Sequence, residues 1–271
     1  MEENTFEVIR PWKDYHIRYA MFDFDGTISL IRQGWQDIMI PYFMEVLRET
    51  GTTESDQEIH DCVQEFVDRL TGKQTIYQCM ALDDAVVERG GPRRDPGDYK
   101  KEYLRRLDER ICDRKKALEQ GADPEEFIVP GALNFIHLLQ VNGIQCYLAS
   151  GTDEDAVKYE AGLLGLDSVF GNNIRGALDA ETTCAKELVI RQLMEEQTIS
   201  PRELVSFGDG YVEIELVANL GGLAIGAATN EETRQGVNQW KRQRLISAGA
   251  NAIIPDFRNA EEIFEKICGK P

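Results

Sequence analysis

Two aspartates separated by one residue follow a short apolar stretch near the start of the chain. Residues 17–22 are apolar-rich and partly alternating, which predicts a strand, and they continue into Asp-Phe-Asp-Gly-Thr at 23–27. A carboxylate such as Asp23 is a reasonable nucleophile toward phosphorus and forms an acyl-phosphate that water can hydrolyse. Because residues two apart on a strand project to the same side, Asp25 could protonate the leaving oxygen and then activate water.

Two later apolar stretches end in polar groups of a similar kind. Residues 144–149 predict a buried strand followed by Ser150-Gly151-Thr152, and residues 204–207 predict a strand followed by Gly208-Asp209. In a parallel α/β sheet, ligands lie beyond the carboxyl ends of the strands. We therefore expect all three clusters to converge on one edge of a sheet. Lys186, near a predicted helix start, could reach the same place.

These side chains suit the transfer of a phosphoryl group. Its negative charge has to be neutralised, and a hard, oxygen-ligated Mg²⁺ together with a lysine such as Lys186 does so. Asp23 and Asp209 can supply carboxylate oxygens to the metal. Ser150 offers a hydroxyl, and the backbone amides that follow it, at Gly151, form a small anion nest.

Alternating strands and helices are predicted around these clusters. Helices are predicted at 130–143, at 153–164 with Asp153 as its cap, from near Thr182, and at 260–267; further strands are predicted at 223–225 and 252–254. Strands that alternate with helices indicate a parallel sheet, so we predict an α/β fold with a Rossmann-like core.

The segment 33–127 has a different character. Its apolar residues recur at helical spacing between charged positions, with one helix predicted at 99–118 and a Gly- and Pro-rich loop at 90–97. We therefore predict an α-helical insertion at 33–127 within an α/β catalytic core formed by 1–32 and 128–271.

Composition excludes several classes of protein. The net charge of −18 argues against nucleic-acid binding, which needs clustered Lys and Arg. No run of about 18 apolar residues predicts a membrane span, and the acidic segment 1–4 lacks the apolar stretch of a secretory signal. The six cysteines are scattered without Cys-x-x-Cys spacing, which favours reduced thiols in the cytoplasm over a zinc site or disulfides.

From Arg18 onward, these motifs in this order resemble the haloacid dehalogenase (HAD) superfamily of hydrolases. Residues 23–27 resemble its first motif, Ser150 its second and Lys186 its third. Gly-Asp-x-x-x-Glu at 208–213 resembles its fourth, with Glu213 in place of the usual aspartate. The longer Glu213 leaves open whether it binds metal directly or positions another group.

The resemblance implies a role for each matching residue. Asp23 would form an aspartyl-phosphate, and Asp25 would act as acid and then base. Mg²⁺ would be bound by Asp23, Asp209, the backbone carbonyl of Asp25 and Glu213. The residues expected to hold the phosphoryl group are Ser150, Gly151, Lys186 and Thr27.

The long interval between Asp23 and Ser150 is similar to that of family members with a helical (C1) cap, such as phosphoglycolate phosphatase and β-phosphoglucomutase. Such caps close over small phosphorylated metabolites and exclude water. Residues 70–75 resemble the specificity loop of that subgroup, which implies that Lys73 and Gln74 contact substrate. Thr75 occupies the position where the mutases carry an arginine.

The predicted function is a Mg²⁺-dependent phosphatase acting on a sugar phosphate or a phosphoglycolate-like ester. A phosphomutase is the enzymatic alternative, which Thr75 disfavours. The non-enzymatic alternative is a metabolite-binding regulator, against which stands the presence of Asp23, Asp25, Lys186 and Asp209.

Overall fold

The computed structural model describes residues 6–178, 184–196 and 199–269. Its contacts divide the chain into two compact units, Met1–Gln33 with Lys115–Pro271, and Gly34–Arg114. The second unit therefore ends earlier than the predicted insertion 33–127. The start predicted for a helix near Thr182 and the segment 1–4 lie outside the described residues.

The first unit contains a seven-stranded sheet of order β1-β7-β6-β5-β2-β3-β4. Its strands are β1 (Glu7–Val8), β2 (Tyr19–Phe22), β3 (Gln145–Asp153), β4 (Ile174–Ala177), β5 (Leu204–Gly208), β6 (Leu223–Ala227) and β7 (Ala252–Ile254). Strands β2 to β7 pair in parallel, whereas β1 pairs antiparallel with β7. The predicted Rossmann-like α/β core with an inserted helical segment is confirmed.

The helices follow in chain order. They are α1 (Gln36–Arg48), α2 (Asp56–Leu70), α3 (Thr75–Glu88), α4 (Pro96–Glu119), α5 (Ala132–Val141), α6 (Glu154–Leu163), α7 (Asp167–Phe170), α8 (Ala185–Glu196), α9 (Tyr211–Leu220), α10 (Gln239–Ala248) and α11 (Ala260–Cys268). The second unit is built from α1 to α3 and most of α4. Within the described residues, no helix is both long enough and apolar enough to cross a membrane.

Two sequence-based boundaries were wrong. Pro96 and Gly97 belong to α4 and not to the preceding loop, because a proline in the first turn loses an N–H that has no partner within the helix. Strand β3 continues through Ser150 to Asp153, with an irregular register against β4 between Ala149 and Asp153. Asp153 precedes α6, but its side chain makes no capping hydrogen bond.

An aromatic cluster fixes the ends of the two central strands. The rings of Phe22 on β2 and Phe207 on β5 stack with centroids 4.8 Å apart, and both contact Phe135 and Phe257. All four side chains are fully buried. Because Asp23 directly follows Phe22, this packing holds the end of β2 in a rigid setting.

The second unit packs apolar helix faces against each other. Phe43 of α1 stacks on Phe66 of α2 with ring centroids 5.9 Å apart. Ser55 and Glu58 form a reciprocal capping box that satisfies donors at the start of α2. The apolar residues that recur at helical spacing in the sequence form these packed helix faces.

Candidate active site

Three neighbouring parallel strands bring the polar clusters together at their carboxyl ends. Asp23 and Asp25 follow β2, Ser150 lies within β3, and Asp209 follows β5. Strand β2 lies between β3 and β5 in the sheet. Lys186, from the first turn of α8, points its ammonium at Asp23, with Nζ 3.0 Å from Oδ1. The arrangement expected from the strand ends is therefore the one observed.

Lys186 lies between two buried carboxylates. Its Nζ is 2.6 Å from Glu213 Oε2, and Lys186 is only 1% exposed. Burial alone would lower the pKa of the ammonium, but the charges of Asp23 and Glu213 outweigh burial and raise it. Burial also raises the pKa of Asp23 well above its usual range, against the opposing effect of Lys186. Lys186 therefore offsets only part of the cost of burying the charged form of Asp23.

Glu213 uses both carboxylate oxygens within the fold. Oε1 accepts a hydrogen bond of 2.9 Å from the backbone N–H of Gly210 at the start of α9, while Oε2 accepts from Lys186. A Cβ at Gly208 would lie 1.9 Å from Oε1, so only a glycine permits this approach. Glu213 is thus placed to hold Lys186 beside Asp23.

Asp25 is held by one carboxylate oxygen. Its Oδ2 accepts hydrogen bonds from Thr152 Oγ1 at 2.8 Å and from Ser150 Oγ at 3.3 Å. Its Oδ1 accepts no hydrogen bond from a described residue and lies 3.9 Å from Arg32 Nε. Burial raises the pKa of Asp25 to about 6, although the nearby Arg32 guanidinium lowers it. The Arg32 guanidinium in turn donates three hydrogen bonds of 2.8 to 3.2 Å to the Glu160 carboxylate.

Asp209 is held from two directions. Its backbone N–H donates to Thr27 Oγ1 at 2.9 Å, and Thr27 Oγ1 lies 3.5 Å from Asp209 Oδ1. Its Oδ2 accepts a 2.6 Å bond from Lys241 Nζ, which also lies 2.6 Å from Glu231 Oε1. Gly26 has a φ of +75°, and a Cβ there would lie 2.2 Å from Asp209 Oδ2. A glycine is therefore needed both for the turn and for the approach to Asp209.

One pattern recurs three times in the site. A cation lies between an aspartate of the strand ends and a glutamate from elsewhere, in the sets Asp23–Lys186–Glu213, Asp25–Arg32–Glu160 and Asp209–Lys241–Glu231. We call these cations the bridging cations. Each set carries two acids and one base, so acidic side chains outnumber basic ones in the cluster by six to three. Such an excess favours a bound divalent cation.

The donor atoms fit a hard metal ion. Asp23, Asp209 and Glu213 each offer one carboxylate oxygen, and these oxygens lie within 4.8 Å of one another. Oxygen donors of this kind are those that Mg²⁺ prefers.

Several residues of the site were not predicted from the sequence. They are Arg32, Glu160, Glu231 and Lys241, whereas Thr152 belonged to a predicted strand-end cluster but was given no role of its own. A signal existed for Glu160, which lies on the buried face of α6 between Val157 and Ala161, where a lone acid needs a partner. No spacing signal pointed to Lys241, because α10 was not predicted and its contact with Asp209 is long-range.

Some predicted substrate contacts are occupied by other interactions. Thr27 and Ser150 are almost fully buried, and their hydroxyls bond to Asp209 and Asp25. In the second unit, Lys73 and Gln74 precede α3, where Gln74 is buried and Lys73 Nζ lies 6.0 Å from the ring centre of Tyr77. Contact of Lys73 or Gln74 with substrate stays a prediction.

Solved structures share this fold at low sequence identity. A β-phosphoglucomutase from Clostridium difficile is 13% identical with a TM-score of 0.61, covering 93% of this chain and 97% of that chain. A predicted phosphoglycolate phosphatase from Haemophilus somnus is 14% identical with a TM-score of 0.59, covering 91% and 97%. A conserved haloacid dehalogenase-like protein of unknown function from Agrobacterium tumefaciens is 18% identical with a TM-score of 0.59, covering 92% and 97%.

A search of curated protein sequences gives no match. The sequence model for haloacid dehalogenase-like hydrolases, by contrast, matches residues 17–221, a range that holds β2 to β5 and the three strand-end acids Asp23, Asp25 and Asp209. The chain therefore belongs to the haloacid dehalogenase-like hydrolase family.

Proposed function

We propose that this chain is a Mg²⁺-dependent phosphatase that hydrolyses a small phosphorylated metabolite through a phosphoryl group carried on Asp23. The observation that carries the proposal is the position of Asp23 Oδ1, 3.0 Å from Lys186 Nζ and within the acidic cluster that includes Asp209. A nucleophile, a cation and oxygen donors for a metal meet at one point. The family match supports phosphoryl transfer.

In the first step, a carboxylate oxygen of Asp23 bonds to phosphorus while the bond from phosphorus to the ester oxygen breaks. Asp25, in its protonated form, gives its proton to the departing oxygen, which leaves as an alcohol. Lys186 stabilises the negative charge of the phosphoryl oxygens. A bound Mg²⁺ would be held by Asp23 and Asp209 and would supply further charge neutralisation.

In the second step, water attacks the phosphorus of the aspartyl-phosphate. Asp25, now ionised, accepts the proton of that water, the bond from phosphorus to Asp23 breaks, and inorganic phosphate leaves. A pKa of about 6 suits Asp25 to both roles, because both of its states are accessible near neutral pH.

Other side chains act by orientation. Ser150 and Thr152 hold one oxygen of Asp25, and Thr27 holds Asp209, so we propose positioning roles for these hydroxyls. Glu213 positions Lys186, since its Oε2 accepts a hydrogen bond from the Lys186 ammonium while its Oε1 is tied to the backbone N–H of Gly210. The phosphoryl group would then contact Lys186 and the backbone at Gly151.

The pH dependence of turnover is expected to report Asp25. Burial raises the pKa of Asp25 to about 6, and a bound cation would lower that value by stabilising the ionised form. Protonated Asp25 is lost as pH rises, so cleavage of an alkyl phosphate should slow above this pKa. An aryl phosphate with an acidic leaving group needs less protonation and should show a flatter profile. Identical profiles for the two esters would argue against Asp25 as the acid.

Phosphate release from a panel of sugar phosphates and phosphoglycolate-like esters tests the proposal. Activity should disappear with a chelator and return with added Mg²⁺. Release of no phosphate from any ester, with and without Mg²⁺, would contradict it. Formation of an isomeric sugar phosphate in place of free phosphate would identify a mutase instead, an outcome that Thr75 disfavours.

A further inference from the structure

Lys241 is a buried lysine that has no role in the proposed reaction. It lies on α10, is 8% exposed, and places Nζ 2.6 Å from Asp209 Oδ2 and 2.6 Å from Glu231 Oε1. Burial alone would lower the pKa of the ammonium, but the Asp209 and Glu231 carboxylates raise it, so Lys241 is charged. A buried charge of this kind is costly unless its partners are well placed.

The pair formed by Lys241 and Glu231 is packed directly against the strand-end turn. A Cβ at Gly26 would lie 2.2 Å from Asp209 Oδ2 and 3.1 Å from Glu231 Oε1. The turn that carries Asp25 therefore passes immediately beside the pair. Asp209 is confined between this backbone, Lys241 and the hydroxyl of Thr27.

Whether Lys241 supports or hinders metal binding at Asp209 depends on whether its positive charge is offset. A lone lysine beside a metal ligand would repel a divalent cation. Glu231 cancels the charge of Lys241, so the pair donates a hydrogen bond to Asp209 and adds no net charge to the site. Groups that hydrogen-bond a ligating carboxylate fix its orientation and thereby tune metal affinity.

We propose that Lys241 and Glu231 form a charge-neutral positioning pair that orients Asp209 for a small divalent cation, Mg²⁺ in preference to Ca²⁺. Mg²⁺ demands near-octahedral geometry, whereas Ca²⁺ accepts flexible and irregular ligand sets. A precisely held Asp209 thus favours the smaller ion. This inference rests on the proposed metal site.

Calorimetric titration of the full chain with Mg²⁺ and, separately, with Ca²⁺ tests the pair. The double variant Lys241→Met/Glu231→Gln removes the pair without changing net charge. It should weaken Mg²⁺ binding by about 10- to 100-fold. Ca²⁺ binding should weaken clearly less, so the preference for Mg²⁺ should shrink.

The matched control is Arg242→Met/Glu7→Gln. Arg242 is the next residue of α10 and pairs with Glu7 at 2.5 Å, and its removal is also charge-neutral. This control should leave both metal affinities within about twofold, since the pair does not contact Asp209.

The single variant Glu231→Gln keeps the experiment decisive if the double variant does not fold, because Glu231 is partly exposed. It leaves the charge of Lys241 uncancelled, so Mg²⁺ and Ca²⁺ binding should both weaken, by similar factors. If the folded variants bind Mg²⁺ as tightly as the parent chain, the inference about the pair is overturned, while the proposed metal site is not affected. Failure of the parent chain to bind Mg²⁺ would overturn the proposed metal site and this inference together.

Discussion

Asp23→Asn is expected to lower turnover of a phosphate ester by a factor on the order of 10⁴ or more. The amide oxygen of asparagine is a poor nucleophile, so the bond to phosphorus does not form and the two-step route is closed. Folding should be retained, because burial already disfavours the charged form of Asp23, as its raised pKa indicates. Steady-state phosphate release and the midpoint of thermal unfolding measure the two effects.

A matched control is Asp256→Asn. Asp256 is also a buried aspartate at the carboxyl edge of the sheet, following β7, and it forms an ion pair with Arg258. Activity within a few-fold of the parent is expected for the control. Undiminished turnover in Asp23→Asn would rule out Asp23 as the nucleophile.

Lys186→Met should reduce both activity and stability. The substitution keeps the length of the side chain but leaves Asp23 and Glu213 buried without their cation, which costs about 3–5 kcal/mol for a pair of this kind. Activity should fall by a factor on the order of 10² or more, because the phosphoryl oxygens lose a charged partner. Urea unfolding and phosphate release provide the two measurements.

The stability loss in Lys186→Met should depend on pH. Without the lysine, the pKa values of Asp23 and Glu213 in the folded chain rise further above their unfolded values, so folding favours their protonated forms. Stability of the variant should therefore fall as pH rises, and its deficit should be larger at pH near 8 than near 5. Lys158→Met, which removes an exposed ion pair with Glu154, should cost at most about 1 kcal/mol. An equal and small loss in both variants would show that Lys186 is not a bridging cation.

The strand ends of the site could be predicted because each has a local signal. A buried apolar stretch that stops at Asp23, at Ser150 or at Asp209 identifies both the strand and the polar group after it. The parallel arrangement then places these groups together without any knowledge of side-chain contacts.

The elements that escaped prediction lack such a signal. Only Lys241 and Leu245 are buried on α10, which is otherwise polar, so no apolar stripe marks it as a helix. Strand β4 contains Arg175 and Gly176 within four residues, and β1 is only two residues long. These strands form because their neighbours in the sheet offer unpaired backbone groups.

The bridging cations also differ in whether a sequence signal identifies them. Lys186 was predicted from its place in the order of motifs, whereas Arg32 and Lys241 contact carboxylates far away in sequence. Their partners Glu160 and Glu231 come from a helix face and a loop that only the folded chain brings near the strand ends. Local pattern therefore identifies the reacting groups, and tertiary packing decides what holds them.

The central claim is that Asp23 carries the phosphoryl group during turnover. The most direct test is to quench the enzyme with acid during steady-state hydrolysis and to analyse its peptides by mass spectrometry, with borohydride reduction to mark the acyl-phosphate. We expect homoserine in place of aspartate at position 23, the product of reducing the aspartyl-phosphate with loss of phosphate, and none in Asp23→Asn. Homoserine at another aspartate, or turnover with no reduction at Asp23, would contradict this claim.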